Sequence, residues 1–119
     1  MAKKFQVVIY HNPKCTTSKH VLDMIEAAGH TPEIVEYLKT GWTKKQLKEL
    51  FSQAGVTPRA ALRTKAKEAE ELGLLGPRIS DTAILDAMVG RPVLVERPFV
   101  VTPKGARLCR PKERVLEVL

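Results

Sequence analysis

Phe5-Gln6-Val7-Val8-Ile9-Tyr10 at the start of the chain and Glu33-Ile34-Val35-Glu36-Tyr37-Leu38 a little further on decide the fold. The first is a short apolar run rich in β-branched and aromatic residues that stops at the turn formers Asn12-Pro13, and it predicts strand one. Between the two runs, Val21, Leu22, Ile25 and Ala28 recur at helical spacing from Thr16 to Ala28, with Gly29 where a helix-ending glycine belongs. Glu33–Leu38 predicts strand two. Two strands joined by one helix must run parallel with a right-handed crossover, so the chain opens with a βαβ unit.

The middle reads as helical. Thr43-Lys44-Lys45-Gln46 has the spacing of a capping box, and Leu47, Leu50, Phe51 and Ala54 keep the 3.6-residue period up to Gly55. Pro58 predicts the first turn of a short helix carrying Ala60, Ala61 and Leu62, and Lys65–Leu72 and Asp81–Met88 predict two more, separated by Gly73 and Gly76-Pro77. Beyond Gly90, Val93-Leu94-Val95 and Phe99-Val100-Val101-Thr102 read as strands on either side of Arg97-Pro98. Lys104-Gly105 predicts a hairpin turn, Ala106–Cys109 the returning strand, and Pro111 the opening of a last amphipathic helix through Val115, Leu116 and Leu119. The expected fold class is therefore α/β: a thioredoxin/glutaredoxin-like βαβ–ββα mixed sheet in one domain over residues 1–119, with a helical insertion at about 43–90 between the two halves.

Composition narrows the functional classes. At 119 residues the chain suits one domain that needs no disulfide or metal to hold it together. Its uncharged apolar stretches are far shorter than the roughly 20 residues that span a bilayer, and Met1-Ala2-Lys3-Lys4 leads into no signal-peptide core, so a cytoplasmic, membrane-free protein is expected. The formal charge of +7 is spread over both halves with no basic tail, and the 5% aromatic content offers few stacking platforms, which argues against a nucleic-acid partner. A small anionic substrate uses the same surplus with fewer residues.

Cys15 is the candidate nucleophile. It falls in the loop between strand one and helix one, at the carboxyl end of a strand, where loops line ligand crevices. A thiol at a helix N-terminus feels unsatisfied backbone N–H groups that favour the thiolate, and His11, Lys14 and Lys19 lie close enough in sequence to add to that effect. The polar neighbours Asn12, Lys14, Thr16, Thr17 and Ser18 predict an exposed rather than a packed thiol. Cys15-Thr16-Thr17-Ser18 lacks the second cysteine of a Cys-x-x-Cys pair, so a resolving thiol must come from elsewhere, and Cys109 reads as a packing residue. Two cysteines and His11, His20 and His30 show no metal-ligand spacing, and no metal is expected. Arg63, Arg97 and Arg110 each adjoin an ordered element. A guanidinium about 6 Å from a thiolate, at an effective dielectric near 20, is worth roughly 2.8 kcal/mol, and its donor fork suits a tetrahedral oxyanion.

Ile9–Lys19, Glu96-Arg97-Pro98-Phe99-Val100-Val101 and Arg107-Leu108-Cys109-Arg110-Pro111 closely resemble the glutaredoxin-coupled arsenate reductase family, as do Arg59-Ala60-Ala61-Leu62-Arg63 and Glu70-Glu71-Leu72-Gly73-Leu74. The likeness runs essentially end to end. It departs at Lys14 and Thr16, where the best-known members carry small residues. The resemblance implies that Cys15 attacks arsenate, that Arg63, Arg97 and Arg110 hold the oxyanion, and that His11 helps keep the thiolate. It implies a cis peptide bond at Pro98, glutathione as co-substrate with glutaredoxin as partner, and no tightly bound cofactor. The alternatives are a glutathione-linked thiol oxidoreductase acting on another substrate and a Spx-like regulator that binds RNA polymerase. Ser18, standing where such regulators commonly carry a second cysteine, disfavours the latter.

Overall fold

The computed structural model describes residues 5–119, so the reading of Met1–Lys4 as no signal peptide lies outside it. The chain divides into two compact units, one formed by residues up to Tyr37 together with Arg97–Leu119, the other by Leu38–Glu96.

The first unit holds a four-stranded mixed sheet in the order β2-β1-β3-β4, made of β1 (Val8–Tyr10), β2 (Glu33–Val35), β3 (Phe99–Thr102) and β4 (Gly105–Leu108). β1 pairs parallel with β2 and antiparallel with β3, Ile9 facing Ile34 on one side and Val100 on the other, and β3 pairs antiparallel with β4. This is the thioredoxin-like βαβ–ββα arrangement. Helix α1 (Thr16–Ala27) crosses between β1 and β2; it buries Ser18, Val21 and Ile25, three positions that share one helix face, and Gly29 follows with a positive φ of 92°. Val21 and Ile25 join Val7, Ile9, Val100, Val115 and Val118 in a core that closes this unit.

Several elements differ from the sequence reading. β2 ends at Val35 instead of Leu38, because β1 leaves the sheet after the His11 amide donates to the Val35 carbonyl, and Tyr37 begins a single helical turn, α2 (Tyr37–Thr40). Strand β1 is likewise short, although Val7 still accepts from the Glu33 amide. The hairpin turn is Pro103-Lys104, one residue earlier than expected, since Gly105 at φ 135° already pairs with Thr102 and the Lys104 amide bonds Thr102 Oγ1. After Pro111 the chain forms a 3-10 helix, Lys112–Glu117, rather than an α-helix.

The second unit contains the helices. In α3 (Lys44–Ala54) the capping box is complete: Thr43 Oγ1 accepts from the Gln46 amide at 3.1 Å and Gln46 Oε1 from the Thr43 amide at 3.3 Å. α4 (Pro58–Ala61), α5 (Lys67–Glu71) and α6 (Asp81–Gly90) follow, with Thr57 and Ser80 capping α4 and α6. Val93–Val95 is not a strand. Pro92 fixes the φ that opens a 3-10 helix, Pro92–Leu94, and Val95 contributes one isolated bridge to Leu62. This unit is wider than the insertion expected at about 43–90. No helix among the described residues is long and apolar enough to cross a membrane.

Candidate active site

The loop that leaves β1 is held by its own polar groups. Asn12 Oδ1 accepts from the Lys14 amide at 2.9 Å, the Asn12 carbonyl accepts from the Cys15 amide at 3.0 Å, and the Cys15 carbonyl accepts from the Lys19 amide at 3.0 Å, which starts α1. Cys15 is thus the N-cap residue, with extended backbone at φ −94° and ψ 120°. Side chains at that position ordinarily face the amides of the helix's second and third residues, and here the third is Ser18.

The polar flanks predict an exposed thiol, but Cys15 retains only 8% of its accessible surface. Pro13, Lys14 and Thr16 are exposed while the sulfur is turned inward, toward donors rather than hydrocarbon. Burial alone would push this thiol up. The Ser18 backbone N–H, Arg97 acting through both hydrogen bonding and charge, and Arg110 outweigh it, and Cys15 stands below the ordinary cysteine range. Two of those groups arrive from the far end of the chain. Arg97 is itself buried at 8% exposure, next to Pro98, and the Arg97–Pro98 and Arg110–Pro111 peptide bonds are both cis. Arg110 Nη1 donates to the Arg97 carbonyl oxygen at 2.9 Å, which ties the two arginine-bearing segments together beside the sulfur.

His11 is placed beneath this arrangement. Its Nδ1 lies 2.6 Å from Ser18 Oγ, and the Asn12 amide donates to the same oxygen at 3.1 Å. Burial lowers the His11 pKa against the opposing pull of Glu36, with Lys19 lowering it further, so the ring is neutral near pH 7. The neutral ring and the Ser18 hydroxyl share one hydrogen bond through Nδ1, its direction set by the imidazole tautomer. Ser18 is the residue that sequence reasoning passed over. In the sequence it reads as one more polar neighbour of Cys15 and as an absent second cysteine, whereas its fully buried hydroxyl joins His11 to the loop and its amide faces the thiol. The available signal was its position three residues after an N-cap on the buried stripe of α1.

Arg63 belongs to the second unit, where its amide donates to the Leu94 carbonyl and its Nη1 lies 3.5 Å from Glu96 Oε1. Cys109 is fully buried at the end of β4, and both cysteines are free. Among the described residues no group of three or more His, Cys, Asp or Glu side chains could hold a metal ion. The arrangement around Cys15 provides an ionisable nucleophile beside two cationic forks, which is what attack on a tetrahedral oxyanion requires.

Comparison with known proteins gives a consistent result. The profile of the ArsC family matches residues 10–118. The chain is 59% identical over 113 residues to the arsenate reductase ArsI2 of a Synechocystis strain, covering 95% of this chain and 81% of that protein. It is 46% identical to the arsenate reductase of Escherichia coli K12, covering 95% of this chain and 80% of the relative. The solved arsenate reductase from Vibrio cholerae superposes with a TM-score of 0.93 at 42% identity, over 98% of this chain and 100% of that one.

Proposed function

This chain belongs to the ArsC family, and from that premise we propose that it is an arsenate reductase in which the Cys15 thiolate attacks the substrate. The observation that carries the reading is the lowered pKa of Cys15, which favours the thiolate, in company with Arg97 and Arg110. Relatives at 59% and 46% identity that bear the name arsenate reductase support the choice of oxyanion.

In the proposed first step the thiolate displaces one oxygen of arsenate, which leaves as water after protonation, and a sulfur–arsenic(V) bond forms. Arg97 and Arg110 hold the remaining oxygens as charge develops on them. By the family resemblance Arg63 supplies a third guanidinium, and His11 is a positioning residue that acts through Ser18. A glutathione thiolate then attacks the Cys15 sulfur. The sulfur–arsenic bond breaks with its electron pair left on arsenic, which departs as arsenite, while the two sulfurs join in a mixed disulfide. A glutaredoxin thiolate attacks the glutathione sulfur and returns Cys15 as thiolate. Both electrons come from thiols, so the cycle calls on no resident cofactor.

The purified full chain incubated with arsenate tests this reading through arsenite formation. The expected result is turnover only when glutathione and glutaredoxin are both present. Arsenite formed equally well without glutaredoxin removes that partner, and no arsenite in the complete mixture removes the activity.

A further inference from the structure

Beside the first turn of α1 the first unit has a cavity of about 400 Å³, broadly open to solvent and lined by Thr16, Thr17 and His20 of α1 and by Arg110, Lys112 and Glu113 from the segment after β4. That volume lies within the range of about 300–1,000 Å³ usual for small-ligand sites, and it is far more than a tetrahedral oxyanion fills. Thr16 directly follows Cys15 in the chain, and Arg110, bonded to the Arg97 carbonyl, is also one of the groups that lower the Cys15 pKa, so the cavity adjoins the nucleophile. Among the described residues the side chains of Thr16, Thr17, His20, Lys112 and Glu113 have no hydrogen bond or ion pair elsewhere. The wall therefore presents uncommitted groups in a definite pattern, with a cation at Lys112, an anion at Glu113 and hydroxyls at Thr16 and Thr17, beside Arg110, whose Nη1 is already given to the Arg97 carbonyl.

We propose that this cavity seats a small thiol peptide bearing two carboxylates and one ammonium, the charge pattern of glutathione, and so brings its sulfur to Cys15. The inference rests on the reading of glutathione as co-substrate and adds where and by which groups it is recognised. Lys112 and Arg110 meet the carboxylates, Glu113 meets the α-ammonium, and the threonine hydroxyls face the peptide amides. Thiols without these charges reach the same sulfur but gain nothing from the walls.

Thiol–disulfide exchange on the full chain, without arsenate, isolates this recognition. Cys15 thiolate attacks the sulfur–sulfur bond of glutathione disulfide, forming the mixed disulfide and expelling one glutathione thiolate, with no net oxidation. Intact-mass spectrometry follows the rate for glutathione disulfide and, in parallel, for the uncharged 2-hydroxyethyl disulfide. Lys112→Ala and Lys112→Glu are expected to slow the charged disulfide, the latter by about tenfold, while the uncharged one keeps its rate and Lys112→Arg keeps both. Equal slowing of the two disulfides, or no slowing of either, overturns the proposal and leaves arsenate reduction to stand on its own assay. A wild-type Cys15 that reacts with neither disulfide overturns this proposal together with the reading beneath it.

Discussion

Cys15 and Cys109 are both buried and both free, yet their thiols move in opposite directions. At Cys109 burial dominates and pushes the pKa up to about 12. Arg107 and Arg114 lie near it, but Glu117 Oε1 accepts from Arg107 Nε at 2.8 Å, Glu117 Oε2 sits 3.8 Å from Arg114 Nε, and the same carboxylate repels a thiolate. The Cys109 sulfur donates to the Arg107 carbonyl at 3.7 Å, a contact that suits a thiol and not an anion. At Cys15 the neighbouring groups are donors, namely an amide at a helix start and two guanidinium groups, one of them fixed by a neutral carbonyl. Burial raises both thiols; at Cys15 the surrounding donors outweigh it, and at Cys109 nothing does.

The largest expected effect separates the two sulfurs outright. Cys15→Ser abolishes arsenite formation, because an alkoxide is not available near pH 7, whereas Cys109→Ser keeps turnover within about twofold even though it buries a hydroxyl at a cost of about 1–3 kcal/mol in stability. Arsenite release and a thermal melt on both variants check this. An inactive but folded Cys109→Ser would give Cys109 a chemical part and erase the contrast.

Next comes the charge at Cys15. Thiolate rises with pH, and a depressed pKa brings the rise to lower pH, so alkylation of Cys15 by iodoacetamide should reach half its plateau below the pH at which an ordinary cysteine does. Arg97→Ala moves that midpoint to higher pH. It also lowers kcat/KM for arsenate by about 10–100-fold, the value of a charged hydrogen bond of about 1.5–3 kcal/mol. A midpoint that stays in place means that the amide of Ser18 and Arg110 carry the shift without Arg97. Ser18→Ala is expected to do less, because the backbone N–H remains: the midpoint moves by less than in Arg97→Ala, and kcat/KM falls only a few-fold. The loss of the hydroxyl leaves the Asn12 amide and His11 Nδ1 unsatisfied, at about 1–3 kcal/mol of stability.

The two halves of this contrast were unequally legible in the sequence. Position relative to a strand end and a helix start singled out Cys15, and local spacing was sufficient for α1, for the Thr43 capping box and for the βαβ order. Burial of Cys15 was not legible, since exposed Pro13, Lys14 and Thr16 flank a side chain turned the other way. Nor was the use of Ser18, because its two partners lie six and seven residues back across a turn that no period reports. Convergence of Arg97 and Arg110 on Cys15 depends on the pairing of β1 with β3 across most of the chain and on the Arg110 bond to the Arg97 carbonyl, neither of which a local pattern reports. The failed strand at Val93–Val95 has the same origin in reverse: its β-branched residues suggest a strand, and Pro92 with the Val95 amide bonded to the Pro92 carbonyl overrides them.

The smallest expected effect tests whether Cys109 is silenced by its carboxylate or by burial itself. Glu117→Gln removes a group that raises the thiol and leaves Arg107 and Arg114 without their shared counter-charge, so ionisation of Cys109 must become easier. Burial is the larger cause and is untouched, so the thiol should still ionise above the ordinary cysteine range. In a Cys15→Ser background, labelling of Cys109 by methyl methanethiosulfonate at the highest pH the fold withstands should therefore rise only a few-fold, and at neutral pH it should stay far slower than labelling of Cys15 in the parent chain. Rapid labelling at neutral pH would show that one surface carboxylate had been holding the thiol in check, and the distinction between the two cysteines would then be a matter of a single charge rather than of donors built into a helix start.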